Sequence, residues 1–136
     1  MFKKIYIVYN YQKALLKVGQ EEYFTAWELL QKIPDKWTAP FFYYMLKGYV
    51  LEQLEKFNDS LGQYDIAKGI VEHSSKLNKD EKEYLLAYVD FSYGEIYREK
   101  NDISSSKNFL LLAKKRVFNK NNIHSYILSD FPLTET

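Results

Sequence analysis

Two histidines with neighbouring serines are the side chains of this sequence that catalysis most often uses. His73 and His124 lie 51 residues apart, and neither has a second histidine at helical metal-ligand spacing, so a zinc site would need carboxylates from elsewhere in the chain. His73 is followed by Ser74 and Ser75, but adjacent residues of a helix point in different directions and cannot form a Ser–His hydrogen bond. Catalysis therefore has little support in these residues.

The charged clusters of the sequence are explained by the ends of helices. Asp80, Glu81 and Glu83 are expected at the start of a helix, where carboxylates interact favourably with the positive end of the helix dipole. The one basic run, Lys114 to Arg116, is expected near the end of a helix, and we interpret it as a solvated face rather than a phosphate site. The five glycines are scattered and form no phosphate-binding loop. The sequence thus predicts no catalytic residue, no metal and no other cofactor.

Composition limits the classes of partner and the location of the protein. Nineteen basic and eighteen acidic residues give a net charge of +1, so no global field would hold nucleic acid or an anionic membrane. The chain has no cysteine and therefore no disulfide, which fits a cytoplasmic protein. The apolar run after Lys4 stops at Asn10, too short for a secretory signal or a membrane span. The aromatic share of 18% favours a role in protein interfaces.

The elements that must position these side chains are helices. Helix formers dominate, and no stretch alternates polar and apolar residues long enough for a strand, so the predicted fold class is all-α. A chain of 136 residues is about one domain, which we place at residues 1–130 with a frayed tail over 131–136. Six helices are predicted: Phe2 to Val18, Gln20 to Ile33, Ala39 to Lys56, Asn58 to Leu77, Lys79 to Lys100, and Asp102 to Phe118.

The predicted helix boundaries rest on capping and turn residues. Gly19 is expected to end the first helix in the left-handed conformation. The pairs Asn58-Asp59 and Asn101-Asp102 are each expected to close one helix and cap the next. Asn78, with Glu81 three residues later, has the spacing of a capping box. Connections this short force consecutive helices to lie antiparallel, so the predicted unit is a helical hairpin.

Self-comparison of the sequence shows that this unit recurs. Ala14, Gly48 and Gly94 in the first helices each lie nine residues before an aromatic or apolar residue that opens a second helix. The interval from Ala14 to Gly48 is 34 residues, and the interval from Gly48 to Gly94 is 46 residues. Small residues let two helices approach closely, while large ones fill the space between hairpins. Each second helix then has the spacing three, four and three: Tyr23, Ala26, Leu30 and Ile33; Phe57, Ser60, Tyr64 and Ala67; Ile103, Ser106, Leu110 and Ala113.

This pattern resembles the tetratricopeptide repeat (TPR), whose period is about 34 residues, over roughly Ile7 to Val117. At the hairpin bend, where that family usually has glycine, this chain has Glu21, Glu55 and Asn101. The resemblance implies about three antiparallel helical hairpins stacked as a short right-handed TPR-like solenoid. A C-terminal capping helix is expected at Ile123 to Asp130, since solenoids need a terminal element over the last apolar face.

The resemblance also implies a binding groove, because the first helices of the hairpins line the inner curve in that family. Within the third helix, Phe42, Met45 and Tyr49 have the spacing of a single helix face. The alternative is that this helix, apolar nearly all round, is buried core in the middle of a stack. A groove of Tyr, Phe and Met suits an amphipathic helix or an apolar peptide. Transferred to this chain, the side chains implied to face the groove are Tyr11, Leu15, Phe42, Met45, Tyr49, Gln53, Tyr88, Phe91, Glu95 and Arg98.

We therefore expect a non-catalytic interaction protein that binds a peptide or helix of another protein, with self-association left open. The first alternative is a bacterial immunity or antitoxin protein that neutralises a cognate toxin. A small chain without an effector domain, rich in Lys, Asn, Ile and Tyr, would act by occupying the surface of another protein. The second alternative is a helical-bundle metal-dependent enzyme built around His73 and nearby carboxylates.

Overall fold

The structure of the 136-residue chain is a computed structural model that describes residues 2–34 and 40–118. All regular secondary structure in these residues is α-helical, which confirms the predicted all-α class. The predicted C-terminal helix from Ile123 to Asp130, the tail from Phe131 and His124 lie outside the described residues. The six helices are α1 Phe2–Gly19, α2 Tyr23–Gln31, α3 Pro40–Gln53, α4 Phe57–Glu72, α5 Lys79–Glu99 and α6 Ile103–Phe118.

Two of the predicted helix starts are confirmed in atomic detail. Asn78 is the N-cap of α5, where its Oδ1 accepts the Glu81 N–H at 2.8 Å and Glu81 Oε1 accepts the Asn78 N–H at 2.9 Å. This is the reciprocal pair of hydrogen bonds that defines a capping box. Asp102 Oδ1 accepts the Ser105 N–H at 3.1 Å and so caps the first turn of α6.

Three predicted helix ends are wrong. Gly19 is the last residue of α1 but does not adopt the left-handed conformation. The pair Asn58-Asp59 lies inside the first turn of α4 instead of before it. Finally, α4 ends at Glu72 rather than Leu77, because the N–H of Ser74 bonds only three residues back, to Val71, and this tighter turn closes the helix.

Three hairpin bends have the same backbone conformation. The residues Glu21, Glu55 and Asn101 have positive φ angles of 59°, 61° and 64°. Each donates its N–H to the carbonyl three residues back at 2.9 to 3.0 Å, and the next residue donates to the carbonyl five residues back at 2.8 to 2.9 Å. These two bonds form a Schellman motif, which satisfies the last carbonyls of a helix. The bends therefore recur at the intervals of 34 and 46 residues that the sequence repeat has.

The described residues form two compact units, and the boundary lies between Gln63 and Tyr64 inside α4. In the first unit, the small residues Ala14 and Ala26 are fully buried where α1 meets α2. The Tyr43 hydroxyl of α3 donates to two backbone carbonyls at the end of α2, each at 3.3 Å. The core of this unit consists of Ile7, Ala14, Ala26, Leu29, Leu30, Ile33, Tyr43 and Val50.

In the second unit, α5 and α6 pack closely against each other at Gly94. A Cβ atom added to Gly94 would lie 2.8 Å from Leu110 Cδ2 and 3.3 Å from the Ser106 carbonyl oxygen. The Ser106 hydroxyl donates to the Gly94 carbonyl at 2.8 Å. The equivalent residues of the preceding repeat make the same bond in the first unit, where the Ser60 hydroxyl donates to the Gly48 carbonyl at 2.6 Å. Small residues thus stand where helices touch, as the repeat predicts.

Candidate partner-binding surface

The helix α3 is buried on most of its circumference but keeps one narrow face in solvent. Phe42 is 56% exposed and Tyr49 is 40% exposed, while Leu46 and Gln53 are partly exposed. These four residues, which we call the α3 strip, follow the spacing four, three and four and therefore share one side of the helix. The two interpretations of this helix thus apply to different faces, since most of α3 is core, whereas the α3 strip touches the core only through the partly buried Leu46 and is otherwise open to solvent.

Met45 does not belong to the exposed face that its spacing from Phe42 and Tyr49 predicts. Its side chain is only 5% exposed. In a helix with 3.6 residues per turn, Met45 lies between the α3 strip and the buried Phe41, so its thioether is turned towards the protein interior. The spacing of Phe42, Met45, Tyr49 and Gln53 predicts that they lie on one side of the helix. It does not predict how much of the helix circumference is in contact with the core.

A pair of tyrosines forms the polar end of the α3 strip. The rings of Tyr49 and Tyr23, the first residue of α2, are 6.2 Å apart with an angle of 73° between their planes. Burial raises the pKa of Tyr49 to about 12, and the hydrogen bond to Tyr23 and the charges of Glu52 and Glu21 act in the same direction. Tyr49 is therefore a neutral phenol at physiological pH. Tyr23 was predicted only as a packing residue of the repeat.

The other predicted groove residues of the first unit are exposed to different extents. Phe42 makes an edge-to-face contact with Phe41, with ring centroids 5.0 Å apart and an angle of 85°. Leu15 is exposed on α1. Tyr11 is partly buried and packs against the core of the first unit. The first unit therefore presents Phe42, Tyr49 and Leu15 to solvent, whereas Tyr11 is also a packing residue.

The predicted groove residues of the second unit lie on one face of α5. Tyr88 is exposed, while Phe91 is partly buried and packs against a small cluster of Ala87, Ala113 and Val117. Glu95 and Arg98 form an ion pair. Burial raises the pKa of Glu95, although the adjacent Arg98 opposes this shift. This face therefore combines an exposed ring with a paired charge.

A partly buried ion network in the second unit was not predicted. Arg116 Nε donates to Asp90 Oδ2 at 2.7 Å, and the same guanidinium forms an ion pair with Glu83. Asp90 is 3% exposed, and burial raises its pKa although Arg116 opposes the shift. The interpretation of Lys114 to Arg116 as a solvated face is thus wrong for Arg116, which is turned towards α5. Residues 26 positions apart carry no local signal for such a pair.

A buried lysine in the first unit was not predicted either. Lys47 is buried, and its Nζ lies 4.9 Å from the centroid of the Tyr43 ring, 5.5 Å from Tyr44 and 5.6 Å from Trp27. Ring faces attract cations, so these contacts compensate part of the loss of water around the ammonium group. The lysine thereby links α3 to α2, which is a packing role.

The groups that metal or acid–base chemistry would use are dispersed in the described part of the chain. Within residues 2–34 and 40–118, no three His, Asp or Glu side chains come close enough to hold a metal ion. His73 is exposed just after the end of α4, and its Nδ1 lies 2.9 Å from the Gly69 carbonyl in the last turn of that helix. None of the described helices is both long and apolar enough to cross a membrane. Comparison of the chain with protein families, curated proteins and solved structures finds no match.

Proposed function

We propose that this protein is a non-catalytic interaction module that binds a helix or peptide of a partner protein on exposed aromatic surfaces. The α3 strip is the single observation that carries the proposal. A helix whose other faces are in the core leaves Phe42 56% exposed and Tyr49 40% exposed, and a partner can cover the part of each ring that its contact with Phe41 or Tyr23 leaves in solvent. Burying the exposed remainder of each ring contributes on the order of 1 kcal/mol, since about half of each side chain is already covered.

The dimensions and chemistry of the α3 strip support a helical partner. From position 42 to position 53 an α-helix rises about 16 Å, which corresponds to three turns of a partner helix. Phe42 and Leu46 supply apolar contact, whereas the Tyr49 hydroxyl and the Gln53 amide supply neutral hydrogen-bonding groups. An amphipathic helix with apolar residues three or four positions apart fits this arrangement. In the second unit, the face of Tyr88, Phe91, Glu95 and Arg98 is proposed as a further partner contact.

We propose further that the three hairpins follow the TPR-like arrangement of a short right-handed solenoid. Two features within the hairpins support this arrangement. The bends at Glu21, Glu55 and Asn101 share one conformation at the intervals of the repeat. In addition, Ser60 and Ser106 make the same hydrogen bond to the small residue of the facing helix. Equivalent local contacts at repeat-related positions are what a repeat architecture produces.

Site-specific photo-crosslinking tests the proposed surface and captures the partner in the same experiment. A photoreactive phenylalanine is placed at position 49 in the native host, and a matched variant carries it at position 24. Phe24 is a suitable control because it is 63% exposed on α2 but lies outside the proposed surface. We expect a partner to be cross-linked from position 49 and not from position 24, and mass spectrometry then identifies it.

The affinity of the identified partner then tests the two rings. The Phe42→Ala/Tyr49→Ala variant should bind at least tenfold more weakly than the parent, which is about 1.4 kcal/mol or more. The Phe24→Ala variant should bind like the parent. Unchanged affinity in a double variant that keeps the parent's circular dichroism spectrum would refute the proposal.

A further inference from the structure

The helix α1 carries more exposed apolar side chains than any other helix in the described part of the chain. Ile5, Tyr9 and Leu16 are 61%, 57% and 59% exposed. They point roughly opposite to Ile7 and Ala14, which are in the core. At about 100° per residue, five exposed side chains cover an arc of about 120° on this side of the helix. In order around the helix, these residues, which we call the α1 face, are Leu15, Val8, Ile5, Leu16 and Tyr9.

Lysines lie along both edges of the α1 face. Lys4 lies about 20° beyond one edge, while Lys13 and Lys17 lie about 40° and 80° beyond the other. Lys4 and Lys13 are exposed, and Lys17 forms an ion pair with Glu22 at 3.5 Å. The Lys13 Nζ lies 5.6 Å from the centroid of the Tyr9 ring, so its charge is next to the α1 face. The face is therefore an apolar strip between two lines of positive charge.

The charge of α1 does not appear in the net charge of the chain. This helix has four lysines and no acidic residue, whereas the whole chain has a net charge of +1. Acidic residues in other helices cancel the lysines in the sum. Charges at a protein surface interact mainly within a Debye length of about 10 Å, so the surroundings of α1 stay positive. A second copy of α1 would bring lysines to lysines, and the complementary occupant is therefore anionic.

We propose that the α1 face binds the surface of an anionic lipid bilayer, with the helix lying parallel to the membrane plane. The apolar side chains then enter the boundary between headgroups and acyl chains, as in interfacial amphipathic helices. Lys4 and Lys13 extend sideways to the lipid phosphates, since a long lysine side chain can keep its ammonium group in the headgroup layer. This contact is separate from the α3 strip and does not depend on it.

The width of the α1 face favours a lipid surface over an acidic protein helix. A helix pair uses a narrow seam of every third or fourth residue. Here the apolar arc and its flanking lysines, from Lys4 to Lys13, cover about 180° of the helix, which a flat surface can contact along both edges at once. Tyrosine rings are enriched at membrane surfaces because one end is apolar and the other polar. The Gln12 amide, inside the arc, would find hydrogen-bonding groups in a hydrated headgroup layer.

The number of groups in contact sets the expected strength of binding. Five apolar side chains and two exposed lysines form a small contact, so the binding should be weak and reversible. A lysine near an anionic surface strengthens binding about fivefold, so Lys4 and Lys13 together should contribute more than tenfold. Because this part is electrostatic, it should diminish as the salt concentration rises.

Sedimentation of the full chain with lipid vesicles tests the charge requirement. The probes are vesicles of phosphatidylcholine alone and vesicles with about one third phosphatidylserine. The parent should bind the anionic vesicles at least tenfold more tightly than the neutral ones at low salt. The Lys4→Gln/Lys13→Gln variant should lose most of this difference. The Lys32→Gln/Lys107→Gln variant, which removes two other exposed lysines and changes the net charge equally, should bind like the parent.

A second pair of variants tests the apolar contact on the same anionic vesicles. Ile5→Ser/Leu16→Ser should bind at least tenfold more weakly than the parent, because two side chains no longer enter the bilayer. Phe24→Ser/Ile66→Ser, which changes two exposed apolar residues on α2 and α4, should bind like the parent.

A fluorophore locates the contact directly. The chain has no cysteine, so a single introduced cysteine carries the only label. A polarity-sensitive fluorophore on Gln12→Cys, inside the arc, should shift to shorter wavelength when anionic vesicles are added. The same label on Phe24→Cys, on α2, should not shift.

Several results would overturn the proposal. A parent chain that does not sediment with anionic vesicles at about 1 mM lipid has no such contact, and an acidic protein then remains as the occupant. Equal binding to both kinds of vesicle would exclude a role for the lysines. A loss of binding in the Phe24→Ser/Ile66→Ser variant, with none in Ile5→Ser/Leu16→Ser, would place the contact outside α1. Circular dichroism establishes that every variant is folded, so each result reports on the contact itself.

Discussion

Replacing Gly94 by alanine is the sharpest test of the helix contact inside the second unit. The added Cβ would lie 2.8 and 2.9 Å from two side-chain carbons of Leu110. Carbon atoms pack best at about 3.5 to 4.0 Å, so α5 and α6 must separate or Leu110 must leave its position. Overpacking of this kind costs about 1 to 3 kcal/mol, whereas the higher helix propensity of alanine returns about 1 kcal/mol. We therefore expect Gly94→Ala to reduce the free energy of unfolding by up to about 2 kcal/mol.

Gly69→Ala is the matched control, because Gly69 is helical, lies in the same unit, and has no atom within 4 Å of an added Cβ. This variant gains the propensity of alanine without a clash, so it should be more stable than the parent by about 0.5 to 1 kcal/mol. The difference between the two variants isolates the contact and should be about 1 to 3 kcal/mol. Urea denaturation followed by circular dichroism at several concentrations of denaturant measures it.

A second substitution separates the clash from other effects of Gly94→Ala. A Leu110→Ala background removes both contacts shorter than 3.0 Å and leaves only the Ser106 carbonyl oxygen, at 3.3 Å from the added Cβ, so most of the penalty for Gly94→Ala should disappear. Equal unfolding free energies for Gly94→Ala and Gly69→Ala would refute the close approach of α5 and α6. A penalty that persists in the Leu110→Ala background would show that Leu110 is not its cause.

Three further predictions concern the second unit and are each measured by urea denaturation. Arg116→Met leaves the Asp90 carboxylate buried without its partner and should destabilise the fold by about 2 to 4 kcal/mol, whereas Asp90→Leu/Arg116→Met should cost less. The pKa of Asp90 is higher in the folded state than in the unfolded chain, so the folded state binds the proton more tightly. The stability that this proton contributes is fully present below pH about 4 and is lost as the pH rises through the raised pKa. Asp90→Asn should remove that pH dependence. Asn78→Ala removes the cap of α5 and should cost about 1 kcal/mol, while Lys79→Ala next to it should cost little.

The fold class and several element ends were predictable because their signals are local. The capping box of Asn78 and Glu81 depends on residues three positions apart, so its spacing is visible in the sequence. The bends were located by the repeat even though glutamate and asparagine replace glycine there, because Glu21, Glu55 and Asn101 recur at the repeat intervals. A left-handed glutamate carries no sequence signal of its own, which is why Gly19 was preferred as the end of α1.

The contacts that were missed join residues far apart in the sequence. Asp90 and Arg116 are brought together only when α5 packs against α6, and neither residue type predicts a buried position. Lys47 was missed for the same reason, since its three aromatic contacts come from two helices. The burial of Met45 depends on how far around α3 the core extends. A periodic pattern gives the direction of a face, whereas its width is set by the neighbouring helices.

Side-chain footprinting with the bound partner is the most direct measurement of the proposed binding surface. Hydroxyl radicals oxidise exposed rings, and mass spectrometry reports the oxidation of each one with and without the partner. We expect Phe42 and Tyr49 to be protected at least several-fold on binding, while Phe24, which is more exposed, is unaffected. Protection of Phe24 together with unchanged oxidation of Phe42 and Tyr49 would contradict a partner site on α3.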